Sequence, residues 1–173
     1  MINPSTATML ARYKRWADQV LFDSLAALPP DELVKERAGP LKSIIGILNH
    51  VYVIDRIWQG HVLGRDHGHQ SRMEVPHPDF INLRNAQEEI NEWFLSWAAQ
   101  QTDGSLSREL EFKFLSGQSG VMTTGSMFLH TVNHATFHRG WVTQLYFEIP
   151  AVPPVTDLCV YLTEVYCEPG PLC

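Results

Sequence analysis

The segment Gly125-Ser-Met-Phe-Leu-His130-Thr-Val-Asn-His134-Ala-Thr-Phe-His138-Arg-Gly-Trp141-Val-Thr-Gln-Leu145 repeats its apolar and histidine residues at helical spacing. At ~100° per residue, Met127, His134, His138, Trp141 and Leu145 share an arc of ~60°. The spacing predicts a helix over about 125–147, capped by Thr124 or Ser126 and stopped by Pro150, Pro153 and Pro154. Two histidines four apart on one face stand about one turn, ~6 Å, from each other along the axis. Both imidazoles then reach a single metal ion.

Three further helices are expected upstream. Residues 43–63 form one, with Ser43 as N-cap and Gly64 as stop. Here Ile47, Val51, Ile54, Ile57 and Trp58 lie within ~100° of His50, which puts that histidine on the inward face. Residues 5–28 form another, on the stripe Met9, Tyr13, Trp16, Val20 and Leu21, ended by Pro29-Pro30. A third covers 82–101 on Leu83, Ala86, Ile90, Trp93, Phe94 and Trp97. Shorter helical pieces are expected at 31–37, before the Gly39-Pro40 break, and at 156–166. The polar, aperiodic run Arg65 to Phe80 reads as a long loop of the kind that carries function. Residues 109–124 alternate, turn at Ser116-Gly-Gln-Ser-Gly120 and alternate again, which predicts a small β-hairpin. The expectation is an all-α single domain over 1–173, a four-helix bundle with that hairpin before the fourth helix.

Composition narrows the function classes. The formal net charge is −6, and the densest basic group is Arg12, Lys14 and Arg15 at helical spacing. Nucleic-acid binding calls for a concentrated basic surface, so no nucleic-acid partner is expected. No apolar run approaches ~18 residues, so no membrane span is expected. The three cysteines, Cys159, Cys167 and Cys173, lie in the last fifteen residues. An odd count without a leader pattern predicts reduced thiols and a cytoplasmic location.

A buried histidine needs a partner for each ring nitrogen, and three on two helices find one together in a divalent cation. His130 offers a competing pair with His134. The rise from His130 to His138 is ~12 Å, too long for all three to reach one ion through bonds of ~2.0–2.1 Å. The residue outside the pair is then a cavity-wall residue, together with Trp58 and Trp141. His61, His67, His69 and His77 read as surface histidines of the polar loop. Asp55 projects ~140° from His50 and is assigned to an ion pair or helix contact instead of the site.

Three runs resemble the DinB family, the DinB/YfiT-like metalloenzymes. They are Tyr13-Lys-Arg-Trp16-Ala-Asp-Gln-Val-Leu21, Ser43-Ile-Ile-Gly-Ile-Leu48-Asn49-His50-Val51 with Asp55-Arg56-Ile57-Trp58, and Asn133-His134-Ala-Thr-Phe-His138-Arg139-Gly140. The resemblance implies a bundle in up-down-down-up order and a divalent metal, zinc or nickel, held by His50, His134 and His138. It also implies a homodimer. Trp141 stands where many members carry Gln, which suggests a more apolar cavity.

Three neutral histidines leave coordination positions open. By fold analogy the leading expectation is a transferase or isomerase that activates a low-molecular-weight thiol at the metal. The alternatives are hydrolysis by a hydroxide generated at the metal, and a non-catalytic bundle stapled by the ion, which would want a fourth protein ligand.

Overall fold

The computed structural model describes residues 2–166 of the chain. Helix α1 spans Pro4–Ala26, α2 Pro30–Val34, α3 Ile44–Leu63, α4 Phe80–Ala99 and α5 Asp103–Leu106. Strands β1 (Glu109–Lys113) and β2 (Ser119–Thr123) follow, then α6 (Thr124–Leu145), a 3-10 turn at Tyr146–Glu148 and α7 (Leu158–Glu164). The four long helices α1, α3, α4 and α6 make the bundle.

Local chemistry sets the boundaries. Asn3 Oδ1 accepts the Thr6 amide at 2.8 Å to cap α1, and Pro4 needs no donor in the first turn. Ser43 caps α3 through the Gly46 amide, and Gly64 closes it in the left-handed region at φ 63°. Asp79 caps α4. The cap of α6 is Thr123, neither Thr124 nor Ser126: its Oγ1 accepts the Ser126 amide at 3.2 Å. Thr123 is the last residue of β2 and is still extended at φ −71°, ψ 151°, the conformation an N-cap requires. The hairpin pairs antiparallel in the register Glu109 with Thr123 through Lys113 with Ser119.

Cross-helix pairs fix the directions. Arg15 meets Glu92 and Asp23 meets Arg84, so α4 runs against α1. His50 faces His138 and Trp58 faces His130, so α6 runs against α3. Asp18 bonds Arg139 and Ser24 bonds Tyr146 just past α6, so α1 and α6 run together. The order is up-down-down-up, and the long loop between α3 and α4 is the crossover that two parallel neighbours need.

The apolar interior divides into three clusters. One gathers Leu21, Phe22, Leu25, Ile44 and Leu145; a second gathers Leu10, Ala17, Phe94, Leu106 and Phe128. A third, around Trp58, Val62, Phe112 and Met127, seats the hairpin on α3 and α6. Each fully buried Leu or Phe contributes ~1.5–3 kcal/mol.

Helix α1 turns a different face inward from the one its large residues suggest. Leu10, Ala11, Lys14, Ala17, Asp18 and Leu21 are buried, while Met9, Trp16 and Val20 are only partly covered. The alanines let α1 approach its neighbours closely, which pushes Trp16 to the rim. Lys14 is therefore not part of a basic surface group: it is 1 % exposed. Among the described residues no helix is long and apolar enough to cross a membrane. Cys159 is exposed and has no disulfide partner among the described residues, and Cys167 and Cys173 lie outside them.

Candidate metal centre and its cavity

The seam between α3 and α6 brings His50, His134 and His138 together. Each offers one ring nitrogen, and the three lie within 4.8 Å of one another. The ring centroids are 5.0 Å apart for His50/His134, 4.7 Å for His50/His138 and 4.4 Å for His134/His138. His50 and His138 are buried, and His134 is half-buried at the cavity.

His50 is oriented from behind. Its Nδ1–H donates to the Arg72 carbonyl at 2.7 Å, which fixes the tautomer and leaves Nε2 as a lone pair aimed into the cluster. That Nε2 stands 3.2 Å from His134 Nε2. Bonds of ~2.0–2.1 Å to a shared tetrahedral ion put ligand nitrogens ~3.3 Å apart, so this pair already has a ligand-pair separation. His134 Nδ1 and His138 Nδ1 are buried with no hydrogen-bond partner. The protein thus gathers imidazole nitrogens without supplying enough partners for them, and the donor set fits a borderline-soft divalent cation.

The cluster is held neutral. Burial pushes the His134 pKa down to about 2, with His138, His50 and His130 adding to the effect. Burial and then His50 push His138 down to about 4. Burial also lowers His50, against the bond to Arg72, which acts to raise it. Neutral imidazole is the form that ligates a metal.

The crossover loop supplies the back of the site. Asn49, fully buried on α3, donates to the Ile45 carbonyl at 2.9 Å and the His77 carbonyl at 2.8 Å, and accepts the His77 amide at 2.9 Å. These bonds fasten the loop that carries Arg72 to the helix that carries His50. His77 is consequently folded against Tyr52, ring centroids 4.9 Å apart. His61 packs edge-on to Trp58 and against Phe112. Neither is a free surface histidine.

A cavity of about 710 Å³ opens on the cluster. His50 and His134 form its floor, Trp58, His61 and His130 line it, and Phe114 and Leu115 reach it from the hairpin turn. His130 meets the edge of Trp58 at 5.0 Å, with its centroid 5.6 Å from His134. Trp141 is not part of this wall. It stacks on His138 at 5.7 Å and fills the space over Gly39, where a Cβ would meet its ring at 3.2 Å. Gly39 holds φ at 115°, so the turn and the tryptophan require the same glycine. One turn further along α6 than His138, Trp141 has passed the cavity and packs against the turn before α3.

Beside the cluster runs a polar belt that the sequence pattern did not reveal. Lys14 Nζ contacts Asp55 Oδ2 at 2.7 Å, Asp18 Oδ2 at 3.0 Å and Asn91 Oδ1 at 2.7 Å. Arg139, next to His138, donates to Asp18 at 3.0 Å and to the Tyr13 hydroxyl at 3.2 Å. Gln87 donates to Asp55 at 2.9 Å. Two cations thus face two carboxylates, all buried. Against the cost of burial, Lys14 and Arg139 hold Asp18 below its ordinary pKa, and Asp18 and Asp55 hold Lys14 above its own, whereas burial prevails at Asp55 and raises it. Asp55 is in an ion pair and is not a group of the cavity. The available signal was the spacing Leu10, Lys14, Ala17, Leu21, which places a charge in the middle of a core stripe.

A helical bundle with a three-histidine seam is the architecture, and the chain belongs to the DinB family, whose profile matches residues 1–168. It is 27% identical over 163 residues to Protein DinB of Bacillus subtilis (strain 168), covering 90% of this chain and 93% of that protein. The crystal structure of a DinB-like protein from Bacillus cereus ATCC 10987 superposes with a TM-score of 0.61 at 20% identity, over 83% of this chain and 91% of that one. This second likeness establishes the shared fold.

Proposed function

We propose that His50, His134 and His138 hold a divalent cation, zinc or nickel, and that the cavity brings a low-molecular-weight thiol to it for transfer or isomerisation. The observation that carries this reading is three neutral imidazoles converging in one cluster, two of which, His50 and His134, form the floor of a cavity large enough for a small molecule. An ion there would lower the pKa of a thiol and polarise a carbonyl. The protein's own part is orientation and exclusion of water. The Arg72 carbonyl aims His50, Trp141 backs His138, and Trp58 with the hairpin residues Phe114 and Leu115 covers the approach.

Two alternatives have less support. Hydrolysis is commonly assisted by a carboxylate base near the attacking water, but Asp55 is committed to Lys14 and no acidic residue among those described lines the cavity. A structural metal wants a fourth protein ligand, and the cluster has three members among the described residues. The reading includes a homodimer, supported by Leu129 and Phe137, both exposed on α6; sedimentation velocity tests that part.

The deciding experiment is elemental analysis of purified protein together with thiol-conjugation assays. About one equivalent of zinc or nickel is expected, lost in His134→Ala, along with thiol-dependent turnover that follows the metal. Metal-free wild type, or His134→Ala with unchanged metal, refutes the site.

A further inference from the structure

The cavity wall has an electrical character that the histidine cluster does not explain. The chain carries a net charge of −6, yet no Asp or Glu lines the cavity. Its lining is apolar or neutral apart from one residue, Arg72, which sits at the rim directly after Gln70 and Ser71.

Arg72 is also available. Among the described residues its guanidinium makes no hydrogen bond or ion pair, although its backbone carbonyl holds His50. The nearest acid in sequence, Glu74, is fully engaged: it accepts from His69 at 2.7 Å and from the amides of Gln70 at 2.6 Å and Ser71 at 2.8 Å. The loop therefore turns Glu74 inward on itself and leaves Arg72 at the cavity. The same residue ties the rim to the cluster, because its carbonyl and its guanidinium belong to one short segment.

We infer that the cavity takes an organic acid: a molecule with an apolar or aromatic body against Trp58 and the hairpin, a carboxylate met by Arg72, and its reacting atom at the histidine floor. A guanidinium fork recognises a carboxylate through two parallel hydrogen bonds. The volume suits a molecule of small-metabolite size, with the body in the apolar part and one ionic anchor setting orientation. The inference rests on the cavity being the substrate site proposed above, and it names the substrate class for that site.

The test is calorimetric binding of two matched pairs to the full-length, zinc-loaded protein: benzoate against benzamide, and N-acetylcysteine against its amide. Each acid is expected to bind about tenfold or more tightly than its amide. Arg72→Gln, at an exposed side chain, leaves the helical circular dichroism intact and brings acid and amide within about twofold, while Arg72→Lys keeps part of the preference. His134→Ala keeps the benzoate preference even if N-acetylcysteine loses affinity, which separates failure of the acid site from failure of the metal site. Equal binding of acid and amide by the wild type overturns the inference. So does an acid preference that survives Arg72→Gln, or one that disappears in His134→Ala, since the anion would then sit on the metal alone.

Discussion

Replacing Lys14 by Met removes one of two cations from a buried set of four charges. Lys14 Nζ sits 2.7 Å from Asp55 and 3.0 Å from Asp18, with side-chain exposures of 1 % for the lysine and 0 % for Asp55. After the change Arg139 still neutralises Asp18, and Asp55 retains only the amide of Gln87. Removing one partner of a buried ion pair costs ~3–5 kcal/mol, because the remaining charge stays desolvated. For a chain of this size, ~2–4 °C of melting temperature per kcal/mol converts that into roughly 6–20 °C. The pH dependence has a definite sign. Burial already raises the Asp55 pKa above its unfolded value, and loss of Lys14 raises it further. In the window between the unfolded and folded values the native state binds the extra proton, so stability falls as pH rises through it. The deficit of Lys14→Met is thus smaller near pH 4 than at pH 7. Urea unfolding of Lys14→Met, Asp55→Asn and the double variant at both pH values measures this. The double variant should recover ~0.5–3 kcal/mol relative to additivity. A single variant within ~0.5 kcal/mol of wild type at pH 7 refutes the buried charge balance.

Asn49→Ala deletes the bonds that fasten the crossover loop to α3. We expect ~1–3 kcal/mol of destabilisation and a 10–100-fold loss of metal affinity as His50 loses its support, read by competition with a chelator; unchanged affinity contradicts the positioning role. In EDTA, the metal-free protein should weaken as pH drops below ~6.5, the unfolded histidine value. Folded His134 and His138 resist protonation down to about 2 and about 4, so the unfolded state binds more protons throughout that range. Discounted for partial solvent screening, the loss between pH 7 and pH 5 is on the order of 1–2 kcal/mol; a flat stability profile over that interval argues against neutral, buried imidazoles.

How far the sequence carried can be seen helix by helix. Both ends of α3 were legible because Ser43 and Gly64 act locally, one through its hydroxyl and the other through a positive φ. Period placed His50, His134 and His138 on the inward arcs of their helices but left His130/His134 as a competing pair, and the family resemblance made the choice between them. Arg72 was not legible, because its part in orienting His50 is played by a carbonyl, which every residue possesses. The belt around Lys14 was hidden for a related reason. A lysine between Arg12 and Arg15 reads as surface unless the alanines beside it are recognised as contact residues. Trp141 was assigned to the cavity because it shares an arc with His138. Angle around a helix does not report distance along it, and one turn separates the cavity from the turn at Gly39.

Charge accounting connects the belt to the site. Lys14 and Arg139 are matched by Asp18 and Asp55 within their own layer, so the belt presents the cluster with no net charge. The cluster itself contributes three neutral ligands and no carboxylate. A divalent ion held there would keep its full charge in a largely apolar setting, and an uncompensated buried charge is costly. Nothing in the wall offers an anion, since Asp55 is turned away to Lys14 and Glu74 is bound by its own loop. The compensating charge therefore has to arrive from the open side, with the ligand. Under the proposed function a thiol bound at the floor would supply it, and a carboxylate anchored on Arg72 would keep that ligand from presenting the wrong end. On this reasoning a neutral molecule of the same shape should be a poor occupant of the zinc-loaded cavity, which the amide partner of each binding pair measures directly.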